Sequence, residues 1–112
     1  MKWFKSKKRK LKEECWNLDF EIIKWLNEHL KVLVEECPKV IDLEYHKYKY
    51  KNKEYTQKEF VEELINITDY LLNNEPYSFT DEDLNIKYIE KINTKKNDMY
   101  DMLKIIHWDL WW

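Results

Sequence analysis

The sequence predicts an all-α fold: a bundle of three or four helices, with a basic N-terminal arm and an irregular or extended connector near residues 40–55. Three observations predict it. Apolar residues recur at helical spacing through 16–37, 56–74 and 99–112, with a weaker stripe between 81 and 93. Pro38 and Pro76 punctuate those runs. Residues 40–55 have no helical period. At 112 residues the chain is read as two parts, an arm at 1–14 and a single helical domain at 15–112. A chain of this size buries roughly two-thirds of its unfolded surface without disulfides or metal.

The first run, Trp16 to Cys37, places Leu18, Ile22, Trp25, Leu26, Leu30, Leu33 and Cys37 on a wide apolar arc. Lys24, Asn27, Glu28, Lys31 and Glu35 take the other side, facing water. Asn17 or Asp19 is the expected N-cap, and Pro38 ends the helix. His29 falls within the arc and reads better as a satisfied core or boundary histidine than as a ligand or base.

In the connector, lysines alternate with other residues from His46 to Lys53. Alternation suits an extended segment or an edge strand with lysine outward. The stronger reading is a solvated connector whose tyrosines lean on the core. The functional alternative is a basic ribbon that holds a nucleotide or nucleic acid through Tyr48, Lys49 and Tyr50.

The second helix opens on Thr56-Gln57-Lys58-Glu59, a capping box. Phe60, Leu64, Ile67 and Leu71 make its stripe, widened by Val61, Ile65 and Leu72, while Glu59, Glu62, Glu63, Asn66 and Asp69 face water. Residues 76–79 turn the chain, and Thr80 and its acidic neighbours offer a further capped start. Leu84, Tyr88 and Ile92 line the next helix. Lys95 and Lys96 fall where the apolar stripe needs to continue, which predicts a break at 93–98 with Asn97 capping a separate last helix. One long helix from Asp81 is the alternative.

The last stretch has two apolar faces. Met99, Leu103, Ile106 and Leu110 form one, with Met102 on its edge, and Ile105, Trp108 and Trp112 form the other. Such a helix is central in the bundle or serves something outside it. The earlier helices can cover the first face, and nothing obvious is left for the second except a fourth helix, the connector at 45–55 or another molecule.

Composition narrows the functional classes. There is no glycine, so Walker and dinucleotide-binding loops are excluded and helix ends must use Asn73, Asn74 or Asn97 instead of Gly. Alanine is also absent and arginine occurs once, while Lys, Asn, Ile and Tyr abound. This is the signature of an AT-rich genome, such as a low-GC bacterium or its phage. Six tryptophans run against that bias, so packing or binding retains them. Packing is the slightly stronger reading.

Residues 1–12 carry seven cations and no acid, which leaves −9 on residues 13–112 of a chain with net charge −2. Lys5, Lys7, Lys8, Arg9 and Lys10, next to Trp3 and Phe4, are candidate phosphate contacts on nucleic acid or an anionic surface. A solvated tail is the stronger reading. No apolar run is long enough to span a bilayer, and no apolar segment follows the basic start as a signal peptide requires. Cys15 and Cys37 are expected to be reduced thiols, and a cytoplasmic setting follows.

No catalytic constellation appears. Ser6 and Ser78 sit in no nucleophile motif, and His107 and Asp109, two apart on a helix, do not share a face. No cofactor or metal ligand set is expected, and the chain is read as non-enzymatic. The basic start with Trp3-Phe4, the run Trp16-x-Leu18-Asp19-x-x-Ile22-x-x-Trp25-Leu26-x-x-x-Leu30, and the closing Leu103-x-x-Ile106 with Leu110-Trp111 resemble a family of small phage proteins of unassigned function. That resemblance implies a helical fold and a phage origin, and it supplies no catalytic residue. The leading expectation is a phage accessory protein that binds and blocks a host protein, with a defence component as the expected target, through Ile105, Trp108, Trp111 and Trp112. Self-association through that surface is a further expectation. The alternatives are a sponge for a small nucleotide signal and a nucleic-acid binder acting through the arm.

Overall fold

A computed structural model of the chain describes residues 2–74 and 82–110, with side chains described from Lys7 onward except at positions 16, 82–86 and 88. Among the described residues there are four α-helices, α1 (Lys2–Glu14), α2 (Leu18–Glu36), α3 (Gln57–Asn73) and α4 (Glu82–Ile106), and one antiparallel hairpin, β1 (Lys47–Tyr50) with β2 (Lys53–Thr56). The fold is helical in the main, but the hairpin means it is not a purely α-helical bundle. The turn at 76–79, the Thr80 cap, and the side chains of Trp3, Phe4, Lys5 and Trp16 lie outside the described residues, as do Trp111 and Trp112.

The centre of the molecule is α3, not the closing stretch. Phe60, Val61 and Leu64 are fully buried, and α2 and α4 both pack against this helix. Its start is the capping box read from the sequence. Thr56 Oγ1 accepts from the Glu59 amide at 3.2 Å, and Glu59 Oε1 accepts from the Thr56 amide at 3.0 Å. At the other end Asn74 stays out of the left-handed region and caps through its side chain, donating to the Tyr70 carbonyl at 2.8 Å.

The left-handed positions fall in the hairpin. Lys51 (φ 49°) and Asn52 (φ 62°) form a two-residue turn whose hand matches the strand twist. The pairing sets Tyr48 opposite Tyr55 and Lys49 opposite Glu54. Lys47 and Lys49 face water, while Tyr48, Tyr50 and Tyr55 lean on Phe60 with ring centroids 5.2, 6.5 and 5.4 Å away. The connector is therefore the expected extended segment with lysine outward. The hairpin also tethers the last helix. Tyr48 donates to Asp109 at 2.6 Å, Tyr50 donates to Asp98 at 2.8 Å, and the buried Gln57 amide donates to the Asp109 carbonyl at 2.9 Å.

The expected break at 93–98 is absent, and α4 runs unbroken for 25 residues. Lys95 and Lys96 do not interrupt it because long lysine stems lie along apolar surface while their heads reach out. The Lys91 and Lys95 ammonium groups stand over the Tyr70 ring at 5.1 and 5.7 Å, and Lys96 reaches toward Asp19 at 4.0 Å. Ile92, Met99, Met102 and Ile106 form the buried stripe of α4, with Leu103 and Leu110 half-buried.

The second large correction concerns α2. Its buried residues are Ile23, Leu26, Asn27, Leu30 and Leu33, with Cys37 just beyond. Leu18, Ile22 and Trp25, expected in the core, are exposed. At ~100° per residue, the helix is rolled by roughly 60° from the orientation its apolar arc suggests. The cause is Asn27, expected in water and in fact 3% exposed. Its Nδ2 donates to Thr68 Oγ1 and to Asp69 Oδ1, each at 2.9 Å, and approaches the Ile65 carbonyl at 3.5 Å. Lys31 pairs with the same Asp69 oxygen at 2.9 Å. A buried amide must be satisfied, and this roll of α2 brings Asn27 to its partners on α3. Asn17 occupies the N-cap position of α2 without a side-chain cap bond, so that expected cap is absent.

The arm is an α-helix rather than a loose tail. Every described side chain from Lys7 to Glu13 is exposed, and the chief contact of α1 is the single turn of 3-10 helix, Cys15–Asn17, that follows it.

Candidate protein-binding face

Because α2 and α4 both lean on α3 and diverge from each other, an open groove of about 760 Å³ lies between them. Leu26, Leu30 and Leu33 of α2 contribute to its lining where they meet the core. Trp25, His29 and Val32 line it from the exposed side of α2, and Leu103, His107 and Leu110 from the α4 side. The lining is mostly apolar, and Glu28 is the one carboxylate in it.

Trp25 stands on the α2 rim, and a second exposed tryptophan, Trp108, lies in the turn of 3-10 helix after α4, next to the groove residue His107. Trp25 is 60% exposed and stacks on His29 with ring centroids 3.9 Å apart. His29, expected at the core boundary, is itself exposed, and its Nδ1 lies 2.7 Å from the Trp25 carbonyl. These contacts hold the indole in place although water surrounds it. Trp108 is 82% exposed and meets His107 edge-on at 5.3 Å. Ile105, on the same face of α4, is 41% exposed. The second face of the closing stretch is thus uncovered among the described residues, and the two tryptophans with described side chains are not core residues.

The other candidate residues stand apart from this groove. Lys7, Lys8, Arg9 and Lys10 are exposed on α1, where Arg9 pairs with Glu13 at 3.5 Å. Tyr48 and Tyr50 are half-buried, and their rings are used against Phe60. Burial, followed by the hydrogen bonds to Asp109 and Asp98, pushes both phenols well above the usual tyrosine range. Lys49 lies on the opposite, solvent side of the strand.

The remaining perturbed groups serve the fold. At Asp69 the Lys31 ammonium lowers the carboxyl, burial opposes it, and the Asn27 amide adds to the lowering. At Asp98 burial opposes ionisation, yet Lys51 at 2.6 Å and the Tyr50 hydroxyl together hold the carboxyl below its ordinary value. Both cysteines are free thiols, and burial raises that of Cys37. Among the described residues, no group of three His, Cys, Asp or Glu side chains could hold a metal ion. No helix among them is long and apolar enough to cross a membrane.

Sequence reasoning found Trp108 and Ile105 but missed the partner rim. Trp25, His29 and Val32 follow Leu18 and Ile22 at alternating spacings of four and three. That second stripe beside the core stripe was a readable sign of a helix with two apolar faces. Comparison of the chain with family models, with curated proteins and with solved structures gives no match.

Proposed function

We propose that this chain is a non-enzymatic protein that binds and blocks another protein, using the groove between α2 and α4 and the Trp108 end as its contact surface. The observation that carries the reading is the exposed Trp25 on one wall of an apolar groove, with a second exposed tryptophan, Trp108, next in sequence to His107 on the other wall. Tryptophan is the residue most enriched at the energetic centres of protein interfaces. An apolar groove between two helices suits a short amphipathic helix that lays down anchors at helical spacing. The AT-rich residue usage and the resemblance to small phage proteins support a phage origin. On that reading the partner is a host protein, a defence component is the expected class, and the host cytoplasm is the place of action.

The test is affinity capture from lysate of a low-GC bacterial host, with the wild type beside His107→Ala and Trp108→Ala. A partner held by the wild type and bound about 30-fold more weakly by the Trp108 variant supports the reading. Equal capture by all three chains, or no capture by any, removes it.

A further inference from the structure

The α1 helix poses a problem of its own. It has 13 residues, is exposed at every described position from Lys7 to Glu13, and has its cations crowded together. An isolated helix of about 12–15 residues is marginal in water even without such repulsion. Some surface is needed to hold it.

The outer side of α2 offers one. Leu18, Ile22 and Trp25 are exposed at spacings of four and three, the pattern of a helix–helix seam. They line a notch of about 500 Å³ where α1 meets α2, together with Glu14, Glu21, Glu28, Lys10 and Lys24. Glu21 and Glu28, seven residues apart on α2, share one side of that helix beside the apolar stripe, and Glu14 at the end of α1 borders the same notch. They outnumber the two lysines, and the chain beyond the arm is strongly acidic.

The α1 helix cannot fill the notch of its own chain. From Glu14 to Leu18 the residues are helical except Asn17 (φ −129°, ψ 51°). One such residue bends the chain but does not fold α1 back along α2. A second copy has no such restriction. At 1.5 Å per residue, Lys2 to Lys12 and Leu18 to Glu28 each span about 15 Å. We therefore propose that α1 of a second copy lies in this notch, with its lysines and arginine against Glu14, Glu21 and Glu28, and that the exchange is reciprocal. Each copy gives its basic helix and receives the other's, which closes a two-fold dimer. The contact uses the N-terminal half of the α2 face, including Trp25 and Glu28, which also line the groove between α2 and α4, and it leaves His107, Leu110 and Trp108 uncovered.

Size-exclusion chromatography with light scattering over a dilution series at low salt tests it on the full chain. The wild type runs at twice the chain mass and dissociates more readily as salt rises. K7E/K8E/R9E weakens the dimer by about tenfold or more, and so does E21K/E28K. One chain carrying all five reversals regains it, because the signs match again, and that rescue shows that the variants fold. Far-UV circular dichroism checks each variant. A wild type that stays monomeric overturns the proposal, as does a dimer indifferent to both reversals or a five-fold variant that stays apart. A monomer that instead binds a DNA duplex or phosphatidylserine vesicles, and loses that binding in K7E/K8E/R9E, also overturns it.

Discussion

Asn27→Ala is expected to be the most damaging single change that removes no apolar side chain from the core. The native amide donates to Thr68 Oγ1 and to the Asp69 carboxylate, both at 2.9 Å, from a site 3% exposed. A neutral hydrogen bond contributes about 1 kcal/mol, and one to a charged group about 1.5–3 kcal/mol. The partners are not stranded: Thr68 Oγ1 still donates to the Leu64 carbonyl at 2.9 Å, and Asp69 keeps Lys31. The expected loss is therefore about 2–4 kcal/mol, a large share of the 5–15 kcal/mol typical of a domain. For a chain of this size it corresponds to a fall in melting temperature of about 8–16 °C. Urea and thermal unfolding followed by far-UV circular dichroism measure it. Asn27→Asp sets a second carboxylate against Asp69 and is expected to cost more than alanine at neutral pH, with the excess shrinking in acid. If Asn27→Ala changes stability by less than about 0.5 kcal/mol, the amide does not hold α2 to α3 and the account of the rolled helix is wrong.

Three further expectations follow from the same packing. On α4, Met102→Ala should cost about 2–5 kcal/mol because the side chain is 1% exposed, while Trp108→Ala should stay within about 0.5 kcal/mol; a large loss at Trp108 in urea unfolding would mean that something covers it. Asp69 and Asp98 have carboxyls lowered by folding, so their contribution is complete at neutral pH and declines as pH drops below about 4 toward the depressed native values. Asp98→Asn should flatten that acid limb of stability against pH, and an unchanged limb would show that Asp98 titrates alike in both states. In the hairpin, Asn52→Ala puts a Cβ without a compensating amide at φ 62° and should cost about 1 kcal/mol, whereas Asn52→Gly should be neutral or stabilising; equal melting temperatures for the two would contradict the turn geometry.

The parts legible in the sequence are those set by local chemistry. The capping box at Thr56 and Glu59, the stripe Phe60–Leu64–Ile67–Leu71 and the alternating lysines of β1 each depend on residues within a few positions of one another. The misreadings came from long side chains and long distances. Lys95 and Lys96 suggest a break when charge is counted at the residue, whereas both are half-buried, with the Lys95 ammonium over the Tyr70 ring and Lys96 reaching toward Asp19. Asn27 looked solvent-facing because its partners, Thr68 and Asp69, lie some forty residues away on another helix. The Tyr48 and Tyr50 hydroxyls found carboxylates on α4 and just beyond it that no spacing rule connects to the connector.

The polar lock at Asn27 and the exposed apolar face are one decision about α2. A roll of α2 toward the centre of its widest arc would bury Leu18, Ile22 and Trp25 but would lift Ile23 and Asn27 out of the core. Each large side chain returned to the core is worth about 1.5–3 kcal/mol. The native orientation forgoes that gain at three positions, keeps Ile23 buried and sets a satisfied amide in the core. A buried polar group of this kind selects one orientation among several of similar apolar burial. The selected orientation turns Trp25 outward, stacks it on His29 and sets it on the rim of the groove opposite His107. The same logic applies at α4, where Tyr48, Gln57 and the Asp109 carbonyl and carboxylate pin the final turn and leave Trp108 in water.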